Sequence, residues 1–179
     1  LQMMIGLFGD TVEGAYYTAS EIAKIKPDTV RIYPTVILNG TRLGELYLSG
    51  EYQVMPLETA VDVCADLLLF FLERNIKVIK LGLHASNDIE ADMLGGIYHP
   101  AFKELCENKI YLKKAEELLS QQDAKNVMIY VQLGGISKMV GQNKKNIEKL
   151  SNMGYNVKVL ESKLLHDYEI IVKDVQDCY

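Results

Sequence analysis

The sequence has few of the cysteines that cross-link small secreted proteins. It has no Trp and only three Cys, which lie 42 and 72 residues apart without a CxxC pair. An odd number of widely spaced cysteines fits neither a disulfide framework nor a zinc site. The pattern favours a reducing compartment, and we expect a cytoplasmic protein.

Long hydrophobic runs are missing as well. The longest uncharged apolar run covers residues 67–72, whereas a membrane-spanning helix requires about 20 apolar residues. Hydrophobic residues make up 49% of the 179 and charged residues 24%, values that are typical of a globular domain. We therefore expect a folded protein with no membrane partner.

The chain also lacks an excess of positive charge. Its net charge is −5, which divides into −6 for residues 1–100 and +1 for the lysine-rich residues 101–179. An acidic chain is not a general nucleic-acid binder. A local patch remains open, because Lys138, Lys144 and Lys145 flank an Asn143 that could cap a phosphate-binding helix terminus. A solvated, capped helix is the plain interpretation of the same residues.

The hydrophobic pattern of the first 100 residues predicts strands that alternate with helices. Strands are predicted at 3–7, 29–34 and 77–83, and helices at 12–26, 42–49 and 56–74. A helical connection between consecutive strands makes them parallel, with right-handed crossovers. The fold class is therefore α/β, as part of a barrel or of an open sheet. The segment 84–100 is predicted to be a functional or connecting loop.

The pattern changes after a charged helix at about 102–122. Strands at 126–132, 155–161 and 168–172, with a helix at 143–152, predict a small βαββ unit of the α+β class. We place the domain boundary between residues 110 and 111. The chain opens with apolar residues that are typical of the middle of a buried strand, so we expect a fragment of a longer protein.

Candidate functional residues follow the predicted strands, because the carboxyl ends of parallel strands face the ligand in such folds. They are Gly6 and Leu7 in a Gly-rich turn, Ile32 and Tyr33 before Pro34, and His84 after the third strand. A strand that stops at Pro could offer free backbone groups to a flat heterocycle. The plain alternatives are a tight turn, a strand terminator and a hydrogen-bonded structural histidine.

Residues 98–102 (Tyr-His-Pro-Ala-Phe) form the densest aromatic cluster. Tyr98 and His99 could line a pocket, and a loop packed by its own aromatic rings would explain them equally well. Cys64 is expected to be an inert core residue. Neighbouring residues build no Ser-His-Asp or Cys-His arrangement, so no catalytic residue is assigned.

Together these segments resemble the second half of a radical SAM protein, closest to the bacterial relatives of the Elongator catalytic subunit. The resemblance is carried by QMMIGLFGDT at 2–11, RIYPTVILNGT at 31–41, residues 43–47 and YHPAF at 98–102. It covers about residues 1–110. Oxygen-independent coproporphyrinogen III oxidases show a more distant resemblance through a similar Gly-Leu-x-Gly turn.

The resemblance implies that residues 1–110 are three parallel β/α units of a partial TIM-like radical SAM barrel, without an acetyltransferase domain. Residues Gly6, Leu7, Ile32 and Tyr33 would then lie beside the adenosyl group of S-adenosyl-L-methionine (SAM). His84, Tyr98 and His99 would lie on the substrate side. The family usually has Pro after the Gly-Leu pair, where this chain has Phe8.

One family feature is missing from these residues. The CxxxCxxC motif that holds the [4Fe–4S] cluster does not occur. The resemblance therefore implies that the cluster and SAM cleavage belong to the full-length protein, that this chain has no metal site, and that the chain alone is inactive.

Several functions remain open at this point. The enzyme could modify RNA or tRNA, or it could act like a coproporphyrinogen oxidase. A function of another class, an RNA- or protein-binding module, would not involve catalysis by this chain. The strand at 3–7 would lack an upstream neighbour, so we also expect the chain to self-associate.

Overall fold

The computed structural model describes residues 1–83 and 91–175. The chain divides into two compact units, unit 1 (Leu1–Lys103) and unit 2 (Glu104–Tyr179). His84, a candidate site residue, and Cys178, the last of the three cysteines, lie outside the described residues. The predicted mixture of helices and strands is confirmed, and it includes a three-stranded parallel sheet.

Unit 1 alternates strands and helices along most of its length. Its strands are β1 (Gln2–Ile5), β2 (Thr29–Pro34), β3 (Val36–Leu38), β4 (Lys77–Leu81) and β5 (Met93–Gly96). Its helices are α1 (Val12–Ile25), α2 (Arg42–Leu48) and α3 (Leu57–Leu72). The three predicted strands and three predicted helices are therefore all present.

The main sheet of unit 1 is parallel, with strand order β1-β2-β4. Its strands alternate between buried and exposed residues, so that Met3 and Ile5 of β1 are buried while Met4 is exposed. Helix α1 contacts β1, and α3 contacts α1 and β4. These helices cover one face of the sheet, and the opposite face carries the exposed residues.

Local chemistry fixes the ends of α1. The Thr11 side chain caps the helix by accepting a hydrogen bond of 3.0 Å from the Gly14 N–H, as N-cap threonines commonly do. The helix ends at Lys26 in the left-handed conformation, directly before Pro27. Helix α3 is apolar on most sides and deeply buried, with Cys64 fully inaccessible.

The second sheet of unit 1 corrects the sequence analysis. Residues 84–100 were predicted to be a loop, but β5 within this range pairs antiparallel with β3. Helix α2 packs beside this pair. Together they form a small core around Ile37, Leu46 and Tyr52, which we call the β3–α2–β5 core.

Unit 2 contains a second three-stranded sheet. Helix α4 (Phe102–Leu119) starts at the end of unit 1 and is followed by β6 (Asn126–Gln132), α5 (Ile136–Val140), a 3-10 turn (Gln142–Lys144), α6 (Lys145–Asn152), β7 (Asn156–Ser162) and β8 (Ile170–Asp174). The strand order is β7-β6-β8, with β7 parallel and β8 antiparallel to β6. The predicted βαββ unit is present, and the short helix α5 is an addition to it.

Candidate functional site

The three parallel strands of unit 1 end at one edge of their sheet, and hydrogen bonds join these ends. The Thr35 N–H and hydroxyl both donate to the Ile5 carbonyl, over 3.1 and 2.7 Å. The Gly82 N–H donates to the Ile32 carbonyl over 3.1 Å. Because carboxyl ends of parallel strands are the usual location of ligand sites in α/β folds, this carboxyl edge is the candidate site.

Gly6 occupies the end of β1 for a conformational reason. Its φ angle of +74° lies in the left-handed region, and a Cβ atom there would approach the Ile97 Cδ1 atom to 2.7 Å. Its N–H donates to Asp10 Oδ2 over 2.9 Å, and its carbonyl accepts a hydrogen bond from the Tyr52 hydroxyl. The predicted ligand residue is thus also a residue that the turn itself requires.

Apolar side chains are exposed immediately after Gly6. Leu7 is 43% exposed and Phe8 is 57% exposed. The Phe8 ring lies beside the Tyr52 ring, with 6.4 Å between centroids, and the Leu7 carbonyl accepts from the Asp10 N–H over 2.9 Å. An ordered turn therefore presents an apolar surface that suits a flat or aliphatic part of a ligand.

The end of β2 does not offer the free backbone groups that the Pro34 stop predicted. Ile32 is fully buried, and its carbonyl is bonded to Gly82. Thr35 uses its N–H toward Ile5 and its carbonyl toward the Ile97 N–H, 2.7 Å away. Tyr33 is only half-buried and alternates with Ile32, so its side chain belongs to the open face. This geometry favours the Tyr33 side chain over the Ile32 backbone as a ligand contact.

The segment after β5 reaches the same edge. The bond from Ile97 to Thr35 fixes it there, two residues before His99. His99 Nδ1 accepts a hydrogen bond of 3.1 Å from the Ala101 N–H, and its carbonyl accepts from the Phe102 N–H over 3.0 Å. Tyr98 and His99 are both half-buried. The structure thus brings these predicted residues to the candidate site and gives His99 a local structural bond as well.

Tyr52 and Asp10 are the polar side chains that hold the turn after β1. Burial, and secondarily the Asp10 carboxylate, raise the pKa of the Tyr52 hydroxyl. Asp10 bonds the Gly6 N–H through one oxygen and the Thr11 N–H through the other, each over 2.9 Å. The Gly-Asp-Thr turn could be recognised in the sequence, but Tyr52 lies in a polar stretch that carries no signal.

The described residues do not fit an iron–sulfur cluster. Cys64 is buried in α3 of unit 1 and Cys106 is buried in unit 2. Within residues 1–83 and 91–175, no group of three or more His, Cys, Asp or Glu side chains is placed to hold a metal ion. A [4Fe–4S] cluster would therefore require cysteines other than these two.

The lysine patch predicted in unit 2 has a different structure from the one expected. Asn143 does not cap a helix; it adopts φ of 54°, and α6 begins after Lys144 without a side-chain cap. The buried Asn146 holds this region instead, donating to the Asn108 carbonyl over 2.9 Å. Lys138 forms an ion pair with Glu107 at 3.2 Å. These internal bonds favour the structural interpretation over a phosphate site.

None of the helices in the described part of the chain combines the length and apolar character needed to cross a membrane.

The chain is similar to known proteins in two of its parts. An uncharacterized protein of Methanocaldococcus jannaschii is 30% identical over 66 residues, which is 37% of this chain and 20% of that protein. The chain thus spans about a fifth of that relative. Residues 27–114 match the Radical_SAM C-terminal domain, so this part of the chain is similar to the C-terminal domain of radical SAM proteins.

Proposed function

We propose that this chain supplies the last β/α units of a cytoplasmic radical SAM enzyme, and that the carboxyl edge of unit 1 contributes to its SAM site. The observation that carries the proposal is the match of residues 27–114 to the Radical_SAM C-terminal domain. The matched range contains β2, β4 and β5, whose ends form most of the candidate site. The weak relative adds no information about the reaction.

The open face of the parallel sheet supports the idea of a partial barrel. Met4 on β1 and Arg31 on β2 are exposed on this face, and Arg31 pairs there with Gln2 of β1 and Lys80 of β4. In a closed barrel such residues point to the interior, because each strand alternates between inside and outside. The proposed full enzyme would place further strands beside β1 and thereby bury this face.

The residues at the edge suit the adenosyl group of SAM. Leu7 and Phe8 provide apolar surface, and the half-buried Tyr33 provides an aromatic ring. In this family, bound SAM together with a [4Fe–4S] cluster supplies a 5′-deoxyadenosyl radical. This chain would bind and orient SAM, while the cluster cysteines would come from another part of the enzyme.

Tyr98 and His99 would face the substrate. The Nδ1 atom of His99 is occupied by the Ala101 N–H, so Nε2 is the ring nitrogen that remains for a substrate. His84, which lies outside the described residues, is proposed for the same side. RNA is the proposed substrate class, and this part of the proposal rests on the resemblance to the Elongator subunit.

Photo-crosslinking tests the SAM site. The 179-residue chain is irradiated with an azido-adenine analogue of SAM, and labelled peptides are identified by mass spectrometry. We expect labels within residues 2–10 and 29–35, suppressed by excess SAM but not by ATP. Tyr33→Ala should reduce the label, whereas Tyr17→Ala, on the exposed side of α1, should not. Labels elsewhere, or labels that SAM does not suppress, would contradict the proposal.

A second measurement tests whether the cluster site lies outside these 179 residues. After reconstitution with iron and sulfide and after reduction, the chain alone should form no 5′-deoxyadenosine, because Cys64 and Cys106 are buried in separate units. The formation of a cluster spectrum together with SAM cleavage would show that the cluster site lies within these residues.

A further inference from the structure

One side chain links the β3–α2–β5 core to the turn after β1. Tyr52 is only 6% exposed and packs with Ile37 and Leu46. Its N–H donates to the Leu46 carbonyl over 3.0 Å, which ties it to the end of α2. Its hydroxyl donates to the Gly6 carbonyl. The hydroxyl thus connects the β3–α2–β5 core to the end of β1, 46 residues earlier in the chain.

The Gly6 residue is held from both sides. Asp10 accepts its N–H, and Tyr52 donates to its carbonyl. Glycine populates positive and negative φ with similar ease, so the backbone itself does not select the observed conformation. The two side chains select it, and the direction of the following Leu7 and Phe8 depends on that choice.

We infer that Tyr52 is a positioning residue of the proposed SAM site: its hydroxyl fixes the Gly6–Leu7 peptide and thereby the apolar surface of Leu7 and Phe8. This inference rests on the proposed function. The Tyr52 ring also lies beside the Phe8 ring, so the residue acts on the turn at two points. Because burial raises the pKa of the hydroxyl above its ordinary value, it remains a donor throughout the pH range of ordinary assays.

A purely structural role in the core is the competing explanation, and a matched pair of variants separates the two. Tyr52→Phe keeps the ring in the core and removes only the bond to Gly6. Tyr47→Phe removes a hydroxyl from a residue that packs against the same core. The Tyr47 hydroxyl lies near Gly95, on the β5 side, and not at the turn after β1.

The experiment measures SAM affinity by equilibrium dialysis, thermal unfolding, and the amide resonances of Leu7 and Phe8 for the wild type and both variants. Tyr52→Phe should weaken SAM binding by about fivefold to tenfold, the size expected for one lost hydrogen bond. It should also shift the Leu7 and Phe8 amide resonances. Tyr47→Phe should bind SAM like the wild type and leave these resonances unchanged.

Each outcome has a distinct meaning. If the wild type does not bind SAM, the proposed function fails and the inference fails with it. If the wild type and Tyr52→Phe bind SAM equally, the inference alone is overturned. If both variants lose affinity in proportion to a lowered unfolding temperature, the role of Tyr52 is core packing, which also overturns the inference.

Discussion

The described residues form two three-stranded sheets, and these have different consequences for function. In unit 1, β1, β2 and β4 are all parallel, so their carboxyl ends gather at one edge. In unit 2, β8 runs antiparallel to β6, so strand beginnings and ends are mixed at each edge. Only the all-parallel arrangement concentrates strand ends, and the candidate site is found there.

The units also differ in what their cores contain. Among the described residues, buried polar side chains include Thr35 in unit 1, but Glu107, Asn108 and Asn146 in unit 2. Glu107 accepts from the Tyr168 hydroxyl over 2.9 Å and pairs with Lys138. Unit 1 therefore depends mainly on close backbone fit and apolar packing, whereas unit 2 depends also on specific side-chain hydrogen bonds.

The largest expected effect tests the close fit of unit 1. A Cβ on Gly96 would meet the Val36 Cα at 2.6 Å and the Thr35 carbonyl oxygen at 2.8 Å, at φ of +119°. We expect Gly96→Ala to destabilise unit 1 by more than about 3 kcal/mol. Hydrogen exchange read by mass spectrometry should show this loss in peptides of β3 and β5.

Gly134 is the matched control in unit 2. Its φ is +76°, but, apart from its chain neighbours, no atom of residues 1–83 and 91–175 lies within 4 Å of the position of a Cβ. Gly134→Ala should therefore cost only about 1–2 kcal/mol of backbone strain. Equal losses for the two variants would show that the close approach of β3 to β5 has no energetic importance.

The second prediction concerns alkaline pH and unit 2. Burial, the largest cause, raises the pKa of Tyr111 from 10.0 to about 12. The folded state therefore holds this proton more tightly than the unfolded state. The resulting stability is complete below pH 10 and is lost as the pH rises towards 12, by about 2–3 kcal/mol. Urea unfolding between pH 8 and 12, followed by hydrogen exchange in α4 and β6, measures the loss.

Tyr111→Phe sharpens the same prediction. The Tyr111 hydroxyl is buried without a hydrogen-bond partner in the described part of the chain, so its removal should leave stability at pH 8 unchanged or raised. The variant should lose less stability above pH 10 than the wild type. A strong destabilisation at pH 8 would reveal a hydrogen bond that the structure does not show.

The third prediction compares the open sheet faces. If other strands normally cover the face that carries Met4, the chain alone should self-associate through it. Met4→Lys should then weaken association by about tenfold, which corresponds to about 1.4 kcal/mol. Ile171→Lys, at an exposed position of β8 in unit 2, should have no such effect. A monomeric wild type in light scattering at all concentrations would contradict the prediction.

The smallest expected effect lies on the helix layer of unit 1. The Tyr16 hydroxyl donates to Asp66 Oδ2 over 2.9 Å and so joins α1 to α3. Because Tyr16 is exposed, Tyr16→Phe should cost only about 0.5–1 kcal/mol. Tyr17→Phe, on the same helix and more exposed, should cost nothing measurable by urea unfolding. A larger loss of stability for Tyr17→Phe than for Tyr16→Phe would show that the bond from Tyr16 to Asp66 is not the stabilising contact.

The sequence alone predicted the elements that have a strong hydrophobic pattern of their own. The apolar runs of β1, β2 and β6 and the periodicity of α1 predicted these elements to within a few residues. The β3–β5 pair could not be predicted, because β3 has three residues and β5 contains two glycines. Their pairing joins distant parts of the chain, and it overrides weak strand propensity.

The same distinction applies to the candidate site. Gly6 and Leu7 were predicted as site residues because a glycine turn directly after a strand is a local signal. Tyr52 was not, because its hydrogen bond to Gly6 joins residues 46 positions apart. The helix α5 was missed for a further reason: five residues between Gly135 and Gly141 are too few to show a periodic pattern.

A bulge in β4 determines how this strand responds to deletions. Pairing with β2 passes from Val78 to Lys80 and skips Ile79. Val78 pairs with Val30, and Leu81 pairs with Ile32. Because of the bulge, Val78 and Leu81 therefore face the same side of the sheet, although they are three residues apart. Deleting Ile79 or Lys80 would leave a single residue between Val78 and Leu81 and would restore regular pairing with both side chains still facing the core. At the bulge, β4 can therefore lose one residue without turning Leu81, and the strand end that follows it, away from the core.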